Sequence, residues 1–354
     1  MFSPARVELV RLRLGLTKLG LAEKLGVDRK TIQRFEAGQA DLPHHSREQL
    51  LDLSGYPETF FSKAPPEYPS AEIVSFRSLR SLTAGSRDAA LAAGALAFEL
   101  DDWICERYDL PTHSLNPERV TLRSPAAAAM QLRAMWGIGV RPIGNMINLL
   151  EANGVRVFSL VEETRHLDAY SLWRNDKPYI FLNTLKTAER SRFDAAHELG
   201  HLIMHRHTGS THPRAEAEAD AFASAFLMPE DDLRAEIRIV RGLHEIIQKK
   251  RRWGVSAAAL AYTLNKMGKI SDWHYRGYCI ELGKLGRNVE PNPMQRETSQ
   301  IWSKILMDLW RQGISLSRVA ESLAIPEREL RGFLFGITTD TSAPAKAAPL
   351  RAVN

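Results

Sequence analysis

The sequence predicts a mainly α chain with a small β-sheet (α+β), in which an all-helical N-terminal unit precedes a larger mixed domain. Three observations carry this. Apolar residues recur at helical spacing along most of the 354 residues. Short runs of β-branched and aromatic residues are confined to the middle, at 155–158, 170–173 and 179–182. Glycines punctuate the first 55 residues at intervals that suit short helices joined by tight turns.

Taken in order, Val7, Val10 and Leu14 share a helical face that Gly15 ends. Thr17 is placed to cap a helix over 18–25, closed by Gly26, and Asp28 to cap one over 29–36, closed by Gly38. Ser46 starts a fourth, which stops at Gly55. Pro57, Pro65, Pro66 and Pro69 make 56–70 a linker. Residues 86–108 read as one long Ala- and Leu-rich helix, 110–125 as irregular, and 126–136 and 143–152 as helices. Beyond the strand segments come helices over 190–206 and 213–227, then over 257–267 and from 299 to about 335. Residues 338–354, rich in Ala, Thr and Pro, read as a disordered tail. No internal repeat is evident. The expected organisation is 1–55 as a helix-turn-helix unit, 56–125 as linker and long helix, 126–285 as the central domain, 286–337 as a C-terminal helical region, and 338–354 as the tail.

Composition narrows the class. No apolar run approaches the ~20 residues a bilayer span needs, and Pro4, Arg6, Glu8 and Arg11 interrupt any signal-like stretch, so no membrane association is expected. Cys105 and Cys279 lie in no CxxC pattern and are expected to stay reduced, which fits the cytoplasm. The net charge of +5 is concentrated at the N-terminus. There Arg6, Arg11, Arg13, Lys18, Lys24, Arg29, Lys30 and Arg34 face only Glu8, Glu23, Asp28 and Glu36 within residues 1–40. An anionic partner is expected for that segment, with double-stranded DNA the first candidate.

The chemistry concentrates in His197-Glu198-Leu199-Gly200-His201. Histidines four apart on a helix stand one turn above the other and offer two imidazole nitrogens to one tetrahedral ion. Glu198 falls beside the open coordination position as general base. The next helix supplies a third ligand. Glu216 is favoured, because Asp220 then faces the same way as an acceptor for a histidine ring N–H, and Ala217, Ala219 and Ala221 permit close helix packing. Glu218, His205 and His207 are the other options; Glu218, two residues along, points off that face. Two histidines and a glutamate suit one Zn²⁺ per chain.

HELGH, the preceding Arg192-Phe193, and the following Glu216, Glu218, Ala219, Asp220, Phe222, Ala223 and Leu227-Met228-Pro229 together resemble the ImmA/IrrE metallopeptidases. The resemblance implies a zinc endopeptidase with Glu216 as ligand and Asp220 where many relatives have Asn. It also implies that the strand 179–183 lies at a sheet edge, where extended substrate is held. The substrate it implies is a repressor or other regulator protein.

Residues 6–43 resemble the Xre (Cro/C1, lambda-repressor-like) helix-turn-helix class. Leu16-Thr17, Leu21-Ala22, Leu25-Gly26-Val27, Thr31-Ile32 and Phe35-Glu36-Ala37-Gly38 carry the resemblance. Arg29, Lys30, Gln33 and Arg34 are the candidates to face the major groove. Lys18 stands where many relatives have Gln, and is expected on a phosphate. The resemblance implies binding as a homodimer. The linker and 253–291 also resemble Xre–ImmA fusion regulators, Ser75-Phe76-Arg77 among the carriers. The basic run 249–252 reads as a solvated helix end, and 316–335 has a helix-turn-helix rhythm around Ala324-Ile325-Pro326 that a plain helical packing unit explains equally. Two alternatives differ in function: a regulator whose metal domain is a ligand sensor or structural, and the DNA-binding, antitoxin-like component of a toxin–antitoxin or mobile-element locus.

Overall fold

Capping side chains set most helix starts in the computed structural model, which describes residues 2–69, 83–117, 124–160, 167–206, 214–286, 289–334 and 336–338. The N-terminal bundle comprises α1 (Pro4–Arg13), α2 (Lys18–Lys24), α3 (Arg29–Glu36), α4 (His44–Ser54) and the short α5 (Glu58–Phe61), a turn of helix within the expected linker. Thr17 Oγ1 accepts from Gly20 N at 3.0 Å and Asp28 Oδ1 from Lys30 N at 2.7 Å, so both caps act where the sequence placed them. Gly26, at φ +59°, makes the tight turn between α2 and α3. One start differs. Helix α4 begins at His44, not Ser46: Pro43 precedes the first turn with its φ already fixed, and Ser46 is buried inside the helix. Val7, Val10, Leu21, Leu25, Ile32 and Phe35 form the buried centre of the bundle.

The bundle packs on α6 (Ala84–Cys105), whose start is capped by Thr83. Arg6 pairs with Glu99, and Lys63 joins the same carboxylate. Two further capped helices, α7 (Pro125–Met135) and α8 (Met146–Ala152), lead into the sheet.

The sheet has β1 (Arg156–Ser159), β2 (Ala169–Arg174) and β3 (Lys177–Leu182), in the order β1-β3-β2. β1 runs parallel to β3, with Arg156 opposite Tyr179. β2 and β3 form a hairpin closed at Arg174 and Lys177, with Asn175 and Asp176 both at positive φ, as a type I′ turn requires. Side chains alternate between faces. One face carries Phe158, Tyr170, Tyr179 and Phe181, which pack together and reach α6 through Tyr170 Oη to Ala90 O and Tyr179 Oη to Asp101. The other carries Ser171 and Trp173 towards the motif helix. Because β3 is paired on both sides, it offers no edge; the expectation that residues 179–183 hold substrate along a sheet edge is corrected, and the edge nearest the motif is β2.

Past the sheet come α9 (Ala188–Met204), α10 (Ala215–Leu227), α11 (Glu230–Glu236) and α12 (Leu243–Lys249), then a 3₁₀ turn at Lys250–Arg252, α13 (Ala257–Lys266) and α14 (Asp272–Lys284). The helical pattern over 299–335 divides into α15 (Gln300–Arg311), α16 (Leu316–Leu323) and α17 (Glu327–Leu334), separated by left-handed residues Gly313 and Ala324. The basic run 249–252 is solvated at Arg251 and Arg252, as expected of a helix end, but not at Lys250. Lys250 is buried and paired with Glu189 at 2.8 Å and Glu290 at 3.1 Å, because its ammonium neutralises two carboxylates beneath the start of α9. Arg252 meets Asp232 through two nitrogens. Among the described residues, no helix is long and apolar enough to cross a membrane. The Ser75-Phe76-Arg77 segment, the option His207 and the tail beyond Thr338 lie outside them.

Candidate metal centre and nucleic-acid interface

Helix α9 starts at the Thr187 cap and lies along the β2 face of the sheet, burying Ala195, Ala196, Leu199 and Leu202. Helix α10 crosses it closely. A Cβ on Gly200 would stand 3.1 Å from the Phe222 ring, so the absence of a side chain at Gly200 sets the approach of the two helices. At that crossing the two motifs meet. His197 Nε2 and His201 Nε2 are 3.0 Å apart, His197 Nε2 lies 3.4 Å from Glu216 Oε2, and His201 Nε2 lies 3.6 Å from Glu216 Oε1. Tetrahedral bonds of ~2.0–2.1 Å place donor atoms about 3.3 Å apart. The three side chains thus match one ion in donor type and spacing, and their ligand atoms all lie within 4.8 Å of one another.

The hydrogen bonds behind these rings fix which nitrogen is offered. Asp220 Oδ1 is 2.9 Å from His197 Nδ1; a carboxylate only accepts, so Nδ1 carries a proton and Nε2 is the nitrogen turned to the centre. For His201 the chain is longer. Glu218 Oε2 accepts from His205 Nε2 at 3.0 Å, which leaves His205 Nδ1 as an acceptor. His201 Nδ1 lies 3.0 Å from it and therefore donates, again freeing Nε2. His205 and Glu218, both weighed as ligands, stand behind His201 instead.

Protonation follows the same geometry. Burial opposes charge on His197, but hydrogen bonds to Asp220 and Glu216 and the nearby Glu198 charge outweigh it and lift its pKa to about 10. Burial, then the charges on His197 and His205, hold His201 well below the ordinary histidine range.

Glu198 is buried, and Ser171 Oγ, on β2, donates to its Oε2 at 2.6 Å. One turn earlier, burial pushes the Asp194 carboxyl up to about 6, against the charges of Lys186 and Arg190. A cavity of about 770 Å³ opens over this group. Its walls include His197, Glu198, Glu216 and Asp220, with Asp168 and Ala169 at the start of β2 and Cys279 and Leu282 on α14. Both cysteines are free.

Residues 150–265 match the IrrE N-terminal-like domain of the M78 peptidase family. That span holds the three strands, both metal-site helices and α13. It supports a metallopeptidase-type domain of the ImmA/IrrE kind. No curated protein matches the chain.

In the N-terminal bundle, Arg29, Lys30, Gln33 and Arg34 are all exposed on α3, and none of them forms an ion pair with a described residue. Lys18 is placed otherwise. Its ammonium sits 2.8 Å from Glu36, whose other oxygen accepts from Arg11 at 2.6 Å, so Lys18 ties α2 to α3.

The sequence reading missed Ser171 and the His205–Glu218 chain. His205 had a signal, being four residues beyond His201 on the same face. Ser171 had none, since only the hairpin register brings it under α9.

Proposed function

We propose that this protein is a DNA-binding transcriptional regulator with a zinc-dependent endopeptidase domain that cleaves a partner regulator or repressor protein. The observation that carries the reading is the convergence of His197, His201 and Glu216 beside a buried Glu198, under a cavity wide enough for a polypeptide segment. The donor set of two imidazoles and one carboxylate fits zinc, held by His197, His201 and Glu216. When bound, zinc supplies Lewis acidity, polarising the scissile carbonyl and making water nucleophilic at neutral pH.

The chain's own residues do the rest. Asp220 and the His205–Glu218 pair keep both imidazoles turned with Nε2 towards the centre. Glu198 takes the proton of the attacking water on its carboxylate and passes it to the departing amine. Ser171 holds that carboxylate in place between the two transfers. The side of β2 that pairs with no described strand, and that begins at the cavity wall, is suited to hold the substrate backbone as an added strand.

The DNA reading rests on the four exposed α3 side chains, presented behind a capped helix start and backed by a buried core. A homodimer would let two such helices read the halves of a duplex operator.

One experiment tests the peptidase reading. Zinc-loaded protein and its Glu198→Gln variant are incubated with repressors encoded beside it, and cleavage is followed by mass spectrometry. Retained zinc with lost cleavage in the variant is expected; equal cleavage by both proteins overturns the mechanism. For DNA, Arg29→Ala with Arg34→Ala is expected to weaken duplex binding and flatten its salt dependence.

A further inference from the structure

The C-terminal helices repeat the N-terminal ones, position by position. Gly15-Leu16-Thr17 before α2 corresponds to Gly313-Ile314-Ser315 before α16, with both glycines left-handed, at φ +64° and +73°. Ser315 caps α16 as Thr17 caps α2, accepting from the amide three residues on. Leu21, Ala22 and Leu25 are buried in the first unit, and Val319, Ala320 and Leu323 in the second. The turns have one conformation. Gly26 at φ +59° matches Ala324 at +56°, Val27 N bonds Ala22 O at 3.0 Å, and Ile325 N bonds Ala320 O at 3.0 Å. In the following helices Ile32 and Phe35 answer to Leu330 and Phe333, all buried, and Gly38 at +70° answers to Gly336 at +72°. No insertion or deletion interrupts the match from Gly15 to Gly38.

One pair of positions argues for common architecture on separate grounds. The buried ion pair Arg11–Glu36 of the first unit is replaced by Leu309 and Leu334, both buried, in the second. Both positions are apolar together in the second unit, so neither leaves a single buried charge. The expectation that the chain has no internal repeat is thereby corrected. The relation escaped the sequence because few side chains are identical; spacing, caps and left-handed turns carry it.

The second unit departs from the first on the outer face of its last helix. Where α3 presents Arg29, Lys30, Gln33 and Arg34, a net charge of +3, α17 has Glu327, Arg328, Arg331 and Gly332, a net charge of only +1. Its surroundings differ too. Arg328 donates to Ser54 O at the C-terminal end of α4, where unpaired carbonyls favour a cation. Glu329 pairs with Arg13 of α1 at 2.9 Å, with both side chains nearly buried. One turn on from Glu329, Phe333 reaches the sheet and packs edge-on against Phe158.

We infer that α15–α17 form a second helix-turn-helix unit whose last helix grips the N-terminal unit in place of a nucleic acid. The second unit thereby fixes the reading helix α3 to the body that holds the metal centre. The grip stands on these contacts alone, whereas the contrast with nucleic acid also rests on the role proposed for α3.

Hydrogen exchange on the full chain tests the grip. Arg328→Ala with Glu329→Gln is expected to speed exchange at least tenfold in α1 and α4 while α9 is unchanged. Arg328→Lys, which keeps a cation at the α4 end, is expected to restore slow exchange in α4. Unaltered exchange in α1 and α4 overturns the inference. Binding of a mixed-sequence 30-base-pair duplex at low salt tests the contrast. Arg331→Ala is expected to stay within twofold of the parent, whereas Arg29→Ala with Arg34→Ala loses tenfold or more. An equal loss in Arg331→Ala overturns the exclusion of α17 from DNA. A parent chain that binds no duplex overturns the reading of α3, and the exchange result then decides the grip by itself.

Discussion

Ser171 Oγ donates a hydrogen bond to Glu198 Oε2 at 2.6 Å, joining an edge strand of the sheet to the buried carboxylate of the motif helix. Both side chains are buried, so solvent cannot replace the bond if it is lost. Ser171→Ala is expected to lower turnover about tenfold by letting the carboxylate rotate, an effect of misplacement and not of missing chemistry. Zinc content should stay at the parent's level. Cleavage rate and metal content measured on one preparation check this; a parallel loss of zinc would show that Ser171 supports the fold of the centre instead.

The His205–Glu218 chain orients His201 by hydrogen bonding alone. His205→Ala should weaken zinc binding roughly 10–100-fold, the usual cost of removing a partner behind a metal ligand. Glu218→Ala should cost less, because the carboxylate is partly exposed and water can take its place. Competition with a chromogenic chelator measures both. An order of effects in which Glu218 matters more than His205 would contradict the tautomer assignment.

Lys250 and Glu189 form a buried pair under the first turn of α9. Lys250→Met leaves Glu189 and Glu290 without their cation and is expected to destabilise the chain by about 3–5 kcal/mol. Adding Glu189→Gln should recover much of that loss, since the penalty lies mainly in an unpaired buried charge. Urea midpoints of the parent, the single and the double variant decide it.

Glu151, at the end of α8, accepts from Ser299 Oγ and from Ile301 N at the start of α15. Burial pushes its carboxyl up to about 7, with the hydrogen bonds from Ser299 and the α15 amides pulling the other way. The folded chain thus holds this proton more tightly than the unfolded chain. The contribution of Glu151 to stability is most favourable below about pH 4.5, declines as pH rises towards 7, and carries the full cost above that. At ~1.36 kcal/mol per pH unit the cost is roughly 3 kcal/mol. Glu151→Gln should therefore raise the urea midpoint at pH 8 and leave it nearly unchanged at pH 5. An equal effect at both values would refute the assignment.

Much of this site was legible because its signals are local. His197, Glu198 and His201 lie within one helical turn, and Thr17, Asp28 and Gly26 act on amides a few residues away. What was not legible depends on pairing across the chain. The position of β3 between two partners, which moved the free edge to β2, follows from a crossover that no periodicity records. Lys250 looked like a surface cation because its partners, Glu189 and Glu290, are distant in sequence. The same distance hid Ser171. Lys18 was expected on a phosphate, and its capture by Glu36 needed the angle between two helices.

The grip of α17 on the N-terminal bundle also orders events in time. Arg13 leaves the ribosome 316 residues before Glu329 does. At about 5–20 residues per second, the cation waits roughly 15–60 s for its partner. Throughout that interval the first-made unit is connected to the rest without its final anchor, and any chain released early keeps it so. The anchor that α17 adds to the N-terminal bundle is thus a property only of finished molecules.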